Sequence, residues 1–203
     1  MPSVEQGPVY SKEVATIAKI YTDDQKYDGV NDSFDFKLTI FYNICKRSGL
    51  PPEGYVVAFP SMLKGLAQDH YYNSNLELRP FTEACNHIRQ FFEGPEYYRK
   101  NLTEWNSMTL QGVMDENPDK SIYQNFQLLI DKLLKQRHGL HPDFRTNRIL
   151  TNKLVTACQG VPACRIAVSN PLEDLSQLIS KLQSSIVAWE KEHPLQALMR
   201  SSY

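Results

Sequence analysis

The sequence predicts an all-α protein, and three observations carry that prediction. Apolar residues recur at the i, i+3, i+4, i+7 spacing of one helix face in segment after segment. Gly and Pro fall between those segments, where they cap or stop helices. No run of β-branched residues alternates with polar ones for the length of a strand. The 203 residues suit one or two domains of about 100–150 residues each.

Residues 1 to about 10 hold Pro2, Gly7 and Pro8 and read as an unstructured lead. A short helix follows from Ser11 to Tyr21, with Val14, Ile17, Ala18 and Tyr21 on one side. The acidic stretch TDDQKYDGVNDSFD is turn-rich, and Asp28-Gly29 is its strongest turn signal. It has a superficial likeness to a calcium loop. The spacing of Asp23, Asp24, Asp28, Asp32 and Asp35 nevertheless lacks the alternating ligands and the closing Glu of an EF-hand. The stretch reads as a solvated loop ending in a helix cap at Asp32 or Ser33.

A helix from Phe34 to Arg47 turns Phe34, Leu38, Phe41, Ile44 and Cys45 inward. Lys46 and Arg47 sit in its last turn, where cations favour the dipole, and Gly49 closes it. After Pro51-Pro52, and a segment broken by Pro60, Leu63, Leu66, Ala67, His70 and Tyr71 repeat at helical spacing. Residues 78–110 organise the chain. Pro80 sits where a first turn tolerates it, and Phe81, Ala84, Cys85, Ile88, Phe91 and Phe92 line one face. Gly94 is expected to supply a left-handed C-cap, and Pro95 forbids continuation. A second helix restarts at Pro95 with Tyr98, Leu102, Trp105 and Thr109 on one stripe.

A weak hinge is expected between about Thr109 and Lys120, with the polar break DENPDKS at its end. The next helix runs from about Ser121 to Arg137, burying Ile122, Phe126, Leu129, Ile130, Leu133 and Leu134, and Gly139 ends it. Another, from about Asp143 to Cys158, carries Phe144, Leu150, Leu154 and Cys158. QGVPACRIAVSNP makes a turn and a short helical piece. Asn170-Pro171 with Glu173 is a helix start signal: a cap, Pro at the first position and a capping-box acid. The final helix presents Leu175, Leu178, Ile179, Leu182, Ile186 and Trp189 and stops before Pro194, leaving a short tail.

A formal net charge of -1, from 22 basic and 23 acidic side chains, argues against a strongly basic nucleic-acid domain. No apolar run approaches the length of a membrane span. The N-terminus lacks the charged and apolar regions of a secretory signal. The four cysteines, Cys45, Cys85, Cys158 and Cys164, lie mostly on apolar helix faces. They read as reduced, buried thiols of an intracellular, cytoplasmic chain ahead of a disulfide framework.

Catalytic motifs are missing from the sequence: no phosphate loop, no nucleophile elbow and no His-Glu-x-x-His. Cys85 and His87 point about 200° apart on a helix, so Cys85 reads as core. Cys158, Cys164, His138 and His141 offer zinc-type ligands at spacings that match no common finger. No enzyme activity, metal or cofactor is expected. The pairs Tyr71-Tyr72, Phe91-Phe92 and Tyr97-Tyr98 should each place one ring inward and its neighbour at the edge. Basic residues gather late, at Lys132, Lys135, Arg137, Arg145, Arg148, Lys153 and Arg165. They could form a cationic patch for RNA or an acidic partner, or simply a solvated helix face.

Taken in order, KYDGVNDSFDFKLTIFYNICKRSGLPPEGYVVAFPSMLKGLAQDHYY and FTEACNHIRQFFEGPEYYRKNLTEWNSMTLQ resemble the Gag capsid region of gypsy-type long-terminal-repeat retrotransposons, particularly fungal ones. That family shows a Tyr-x-Gly start, then a helix with aromatic anchors. A Leu-x-Gly-x-Ala segment ending in aromatics follows, here Leu63 to Tyr72, and then a helix closing on paired aromatics, here Phe81 to Phe92. SIYQNFQLLIDKLLKQRHGL, NKLVTACQGVPACRIAVSNP and LSQLISKLQSSIVAWEK are similar to the second capsid half. The resemblance covers about Lys26 to Glu192.

It implies a two-lobed, helical, capsid-like fold: a lead over 1–25, lobes over 26–108 and 109–192, and a tail over 193–203. It also implies self-association into a particle enclosing RNA, with Tyr97, Tyr98 and Trp105 in the inter-lobe region and Trp189 packing the last helix. The sequence departs from the family in having no zinc knuckle, no Asp-Ser/Thr-Gly protease motif and no polymerase segment. The rival expectation is a domesticated, Gag-derived adaptor binding a host protein as a monomer or small oligomer.

Overall fold

In the computed structural model the described residues are 10–30 and 33–194. Most of the lead and tail, and Asp32, lie outside them. Among the described residues there are eleven α-helices and no strand, so the chain is all-α. It divides into two compact units, residues 1–97 and 98–203.

The first unit contains Ser11–Ile20 (α1), Phe34–Arg47 (α2), Tyr55–Ala58 (α3), Gly65–Asn73 (α4), Phe81–Phe92 (α5) and the start of Pro95–Ser107 (α6). Its core is built on rings. Phe59 meets Phe81 edge-on at 5.3 Å, Tyr71 at 5.6 Å and Phe41 at 6.2 Å. Phe34, Phe41, Phe59, Tyr27 and Tyr71 are all buried. Each such side chain contributes about 1.5–3 kcal/mol on burial, and edge-to-face pairs add about 0.5–1.5 kcal/mol each.

Helix α2 begins at the expected place because Ser33 caps it, its hydroxyl accepting from Phe36 N–H at 3.4 Å. Phe34 N–H donates to the Glu93 carboxylate, which is buried. Arg89 on α5 pairs with Asp35 at 2.9 Å and lies 5.2 Å from the Phe34 ring centroid. The acidic loop before α2 is closed by lysines. Lys64 Nζ donates to the Asp23 carbonyl at 2.6 Å, and the buried Lys37 reaches the Asp24 carbonyl. Tyr27 docks beside Leu63 through hydrogen bonds of 2.8 and 2.9 Å to Met62 and Lys64.

The second unit contains the rest of α6, then Leu110–Glu116 (α7), Ile122–Arg137 (α8), Asn147–Ala157 (α9), Arg165–Ser169 (α10) and Leu175–Glu192 (α11). Its core is aliphatic, with Leu110, Leu129, Leu133, Leu178, Leu182 and Ile186 all buried. Ser121 starts α8 with a full capping box, its hydroxyl taking Gln124 N–H while the Gln124 side chain takes Ser121 N–H.

Several expectations need correction. The division expected at 109 falls between Tyr97 and Tyr98. The expected hinge is largely α7, because Thr109 caps it at Gly112 N–H and Leu110, Val113 and Met114 all face the core. Trp105 is 3% exposed inside the second core, not between lobes. Gly94 has no positive φ; Glu93 ends α5 instead, at φ -115°. Left-handed glycine is used at Gly29, Gly49, Gly65 and Gly160. At Gly29 an added Cβ would strike the Phe92 ring at 2.5 Å.

Phe144 is not on a helix: residues 142–144 form a 3-10 turn and Thr146 caps α9, leaving Phe144 exposed. Asn170-Pro171 does not start α11, because Asp174 captures Gln177 N–H at 2.9 Å. Leu66 and Leu134 point outward, whereas Leu63 is buried in extended backbone ahead of α4. Leu178, Leu182 and Ile186 are buried as expected, and Trp189 packs half-buried against the same core.

The Glu93 cap yields a direct test by urea unfolding. Glu93→Ala leaves Phe34 N–H buried without its acceptor and should cost about 1–3 kcal/mol. Glu93→Gln retains a carbonyl oxygen and should lose less; equal losses would show that the hydrogen bond is not what matters.

Candidate functional site

Several of the late basic residues are engaged within the fold. Lys132 pairs with Glu116, and Lys135 with Asp131 at 2.7 Å. Arg137 Nε donates to the Arg145 carbonyl and Arg145 Nε to the Leu140 carbonyl, each at 2.6 Å, stitching the turn after α8. Lys153 is buried, with Nζ donating to the Asn106 carbonyl at 3.0 Å. Burial lowers its pKa. Arg148 on α9 and Arg165 on α10 are exposed and make no ion pair among the described residues.

The thiols are equally committed. All four cysteines are free and buried. Burial pushes the Cys45 and Cys85 thiols up to about 12, so neither supplies a nucleophilic thiolate near neutral pH. Cys158 is raised by its hydrogen-bonding neighbour Cys164 and then by burial. Among the described residues no three His, Cys, Asp or Glu side chains group so as to hold a metal ion. His141, one of the zinc-type ligands, instead meets Asp143 at 3.2 Å and the Tyr98 ring at 5.5 Å.

The aromatic pairs carry the surface of interest. Tyr71 is buried and Tyr72 exposed; Phe92 is half-buried and Phe91 is 61% exposed. Tyr97 and Tyr98 are both half-buried. Phe91 stacks on His70 of α4 at a centroid distance of 3.7 Å, and His70 stacks in turn on His87 of α5 at 5.2 Å. Leu66, one turn before His70, is also 61% exposed. The result is an apolar strip over α4 and α5 with an imidazole at its centre.

His70 Nε2 is buried without a hydrogen-bond partner. Protonating it would bury an unanswered N–H, at a cost of about 1–3 kcal/mol or more. A cation over the Phe91 face returns only about 0.5–1 kcal/mol. Burial first, and His87 second, accordingly lower the His70 pKa. This stack left no motif in the sequence; its one trace is that His70 and Phe91 both occupy the apolar stripes of their helices.

In the second unit, Ile130, Leu134, Leu150, Leu175 and Ile179 line an apolar cleft of about 20 Å³, room for about one water-sized sphere. No helix among the described residues is long and apolar enough to cross a membrane. Compared with protein-family models, curated proteins and solved structures, the chain matches none.

Two outcomes follow. Arg145→Ala should lower stability by about 1 kcal/mol through the lost bond to Leu140, while Arg148→Ala should stay within about 0.5 kcal/mol; thermal unfolding of the pair compares them. A thiol reagent at pH 8 should titrate the cysteines of the native chain only slowly and all four once denaturant is added.

Proposed function

We propose that this chain is a Gag-capsid-like structural protein that associates with itself through repeated protein–protein contacts and carries out no reaction of its own. The observation that supports the reading best is the division into two helical units, each with a separate apolar core. That organisation runs over the same residues, 26–192, whose ordered segments resemble the retrotransposon capsid. Apolar side chains left at the surface of both units suit repeated interfaces: Leu66, Tyr72 and Phe91 in the first, Ile166 and Val187 in the second. An enclosed RNA would be a secondary partner, met through Arg148 and Arg165.

A second reading is an intracellular helical adaptor, derived from such a capsid, that binds one host protein. The engagement of Lys132, Lys135, Arg137, Arg145 and Lys153 within the fold favours it over any RNA-centred role. Light scattering coupled to size-exclusion chromatography, at low and high salt, separates the two. Large assemblies that persist at high salt, seen as particles by negative-stain microscopy, are the expected result. A monomer free of nucleic acid at every concentration and salt would overturn assembly and leave the adaptor.

A further inference from the structure

We propose that the contact between α4 and α5 is an acid-sensitive latch, in which protonation of His70 releases Phe91 from its stack. The parts are all in the first unit. Phe91 lies on one partner face of His70 at 3.7 Å with rings 18° from parallel, and His87 stacks at 5.2 Å and 19°. Nε2 is buried and has no acceptor, so only the bare-nitrogen, neutral tautomer suits the site. Phe92, next in sequence, meets His70 edge-on at 5.6 Å and covers Gly29 and Tyr27. A displaced Phe91 therefore loosens the last turn of α5.

His87 is the charged or titratable neighbour that acts on His70. The other ionised groups of the surrounding elements are occupied elsewhere. Arg89 holds Asp35, Lys64 holds the Asp23 carbonyl, Glu93 takes Phe34 N–H and Asp28 takes Val30 N–H. Asp69 and Glu83 are exposed to solvent. No carboxylate partners Nε2, so an imidazolium finds no acceptor at that nitrogen, and the neighbouring His87 disfavours the charge further.

The direction is fixed by linkage. Because the stacked state holds His70 below its ordinary value of about 6.5, the stack is fully favoured above that pH. It weakens as pH falls, since the released imidazole takes the proton more readily. One linked proton raises the opening constant by up to about tenfold per pH unit.

The test is an NMR titration of the whole chain from pH 8 to 5, following the His70 imidazole and the Phe91 ring. Tryptophan emission is unsuitable, because Trp189 stacks on a different imidazole, His193, at 4.4 Å. The expected result is that Phe91 loses its ring-current shift with the His70 midpoint, and that His70→Phe keeps Phe91 stacked at pH 5. Phe91 signals that stay in place while His70 titrates overturn the proposal, as does an unchanged transition in His70→Phe. Should that variant fail to fold, His87→Gln must move the transition to higher pH; one that does not move overturns the proposal equally.

Discussion

A buried carboxylate is the constraint on which the first unit depends. Glu93, 4% exposed, ends α5 and accepts Phe34 N–H at the start of α2. Desolvating a carboxylate costs several kcal/mol. A charge-assisted hydrogen bond returns about 1.5–3 kcal/mol, and a helix N-terminus up to about 2 kcal/mol. These terms are of similar size, so the bond to Phe34 N–H offsets much of the cost of burying the group. One turn earlier, Arg89 grips Asp35 and covers Phe34. The last turn of α5 thus holds the first turn of α2, and Phe34 and Phe41 are delivered into the ring core from a fixed start.

The two cores then differ in what they demand. In the first, Phe59 is met edge-on by Phe34, Phe41, Tyr71 and Phe81. Edge-to-face pairing needs specific ring angles, so a change on one helix is felt on the others. In the second, Leu, Ile and Val from α7, α8, α9 and α11 interdigitate with Phe126 as the lone buried Phe. Volume-conserving swaps in such a core usually cost less than about 1.5 kcal/mol. The aromatic unit specifies a single arrangement more sharply, and that arrangement is what stacks His70 with Phe91 and with His87.

How much of this was legible depended on whether a signal was local. Phe34–Arg47 was readable to the residue, because a cap, a stripe and a closing Gly coincide there. The start of α11 lies at Asp174 and not at Asn170, because the Asp174 carboxylate accepts from Gln177 N–H. Lys37 lies on the stripe of Phe34, Leu38 and Phe41, so its burial was legible in principle, although its partner, the Asp24 carbonyl, was not. Glu93 left a trace of the same kind. An acid at a helix C-terminus opposes the dipole, and such a misplacement marks a side chain with work elsewhere. Of the His70 stack only the stripe positions of His70 and Phe91 were legible, since how its rings meet depends on helix registers that only tertiary packing sets.

The late basic residues show how much a cluster in sequence leaves open, because the fold sets each cation's surroundings. Lys135 and Arg137 point about 200° apart on α8, and Lys153 falls on the buried stripe of Leu150, Leu154 and Ala157. Carbonyls at Leu140, Arg145 and Asn106 hold Arg145, Arg137 and Lys153 in place, which fixes where those cations sit without neutralising them. If about seven phosphates were neutralised, affinity for a single strand would fall about a thousandfold between 50 and 200 mM salt. If Arg148 and Arg165 were the only contacts, the same step would cost about sevenfold. On the capsid-like reading proposed above, contacts between copies would fall to exposed apolar side chains such as Leu66, Phe91 and Ile166.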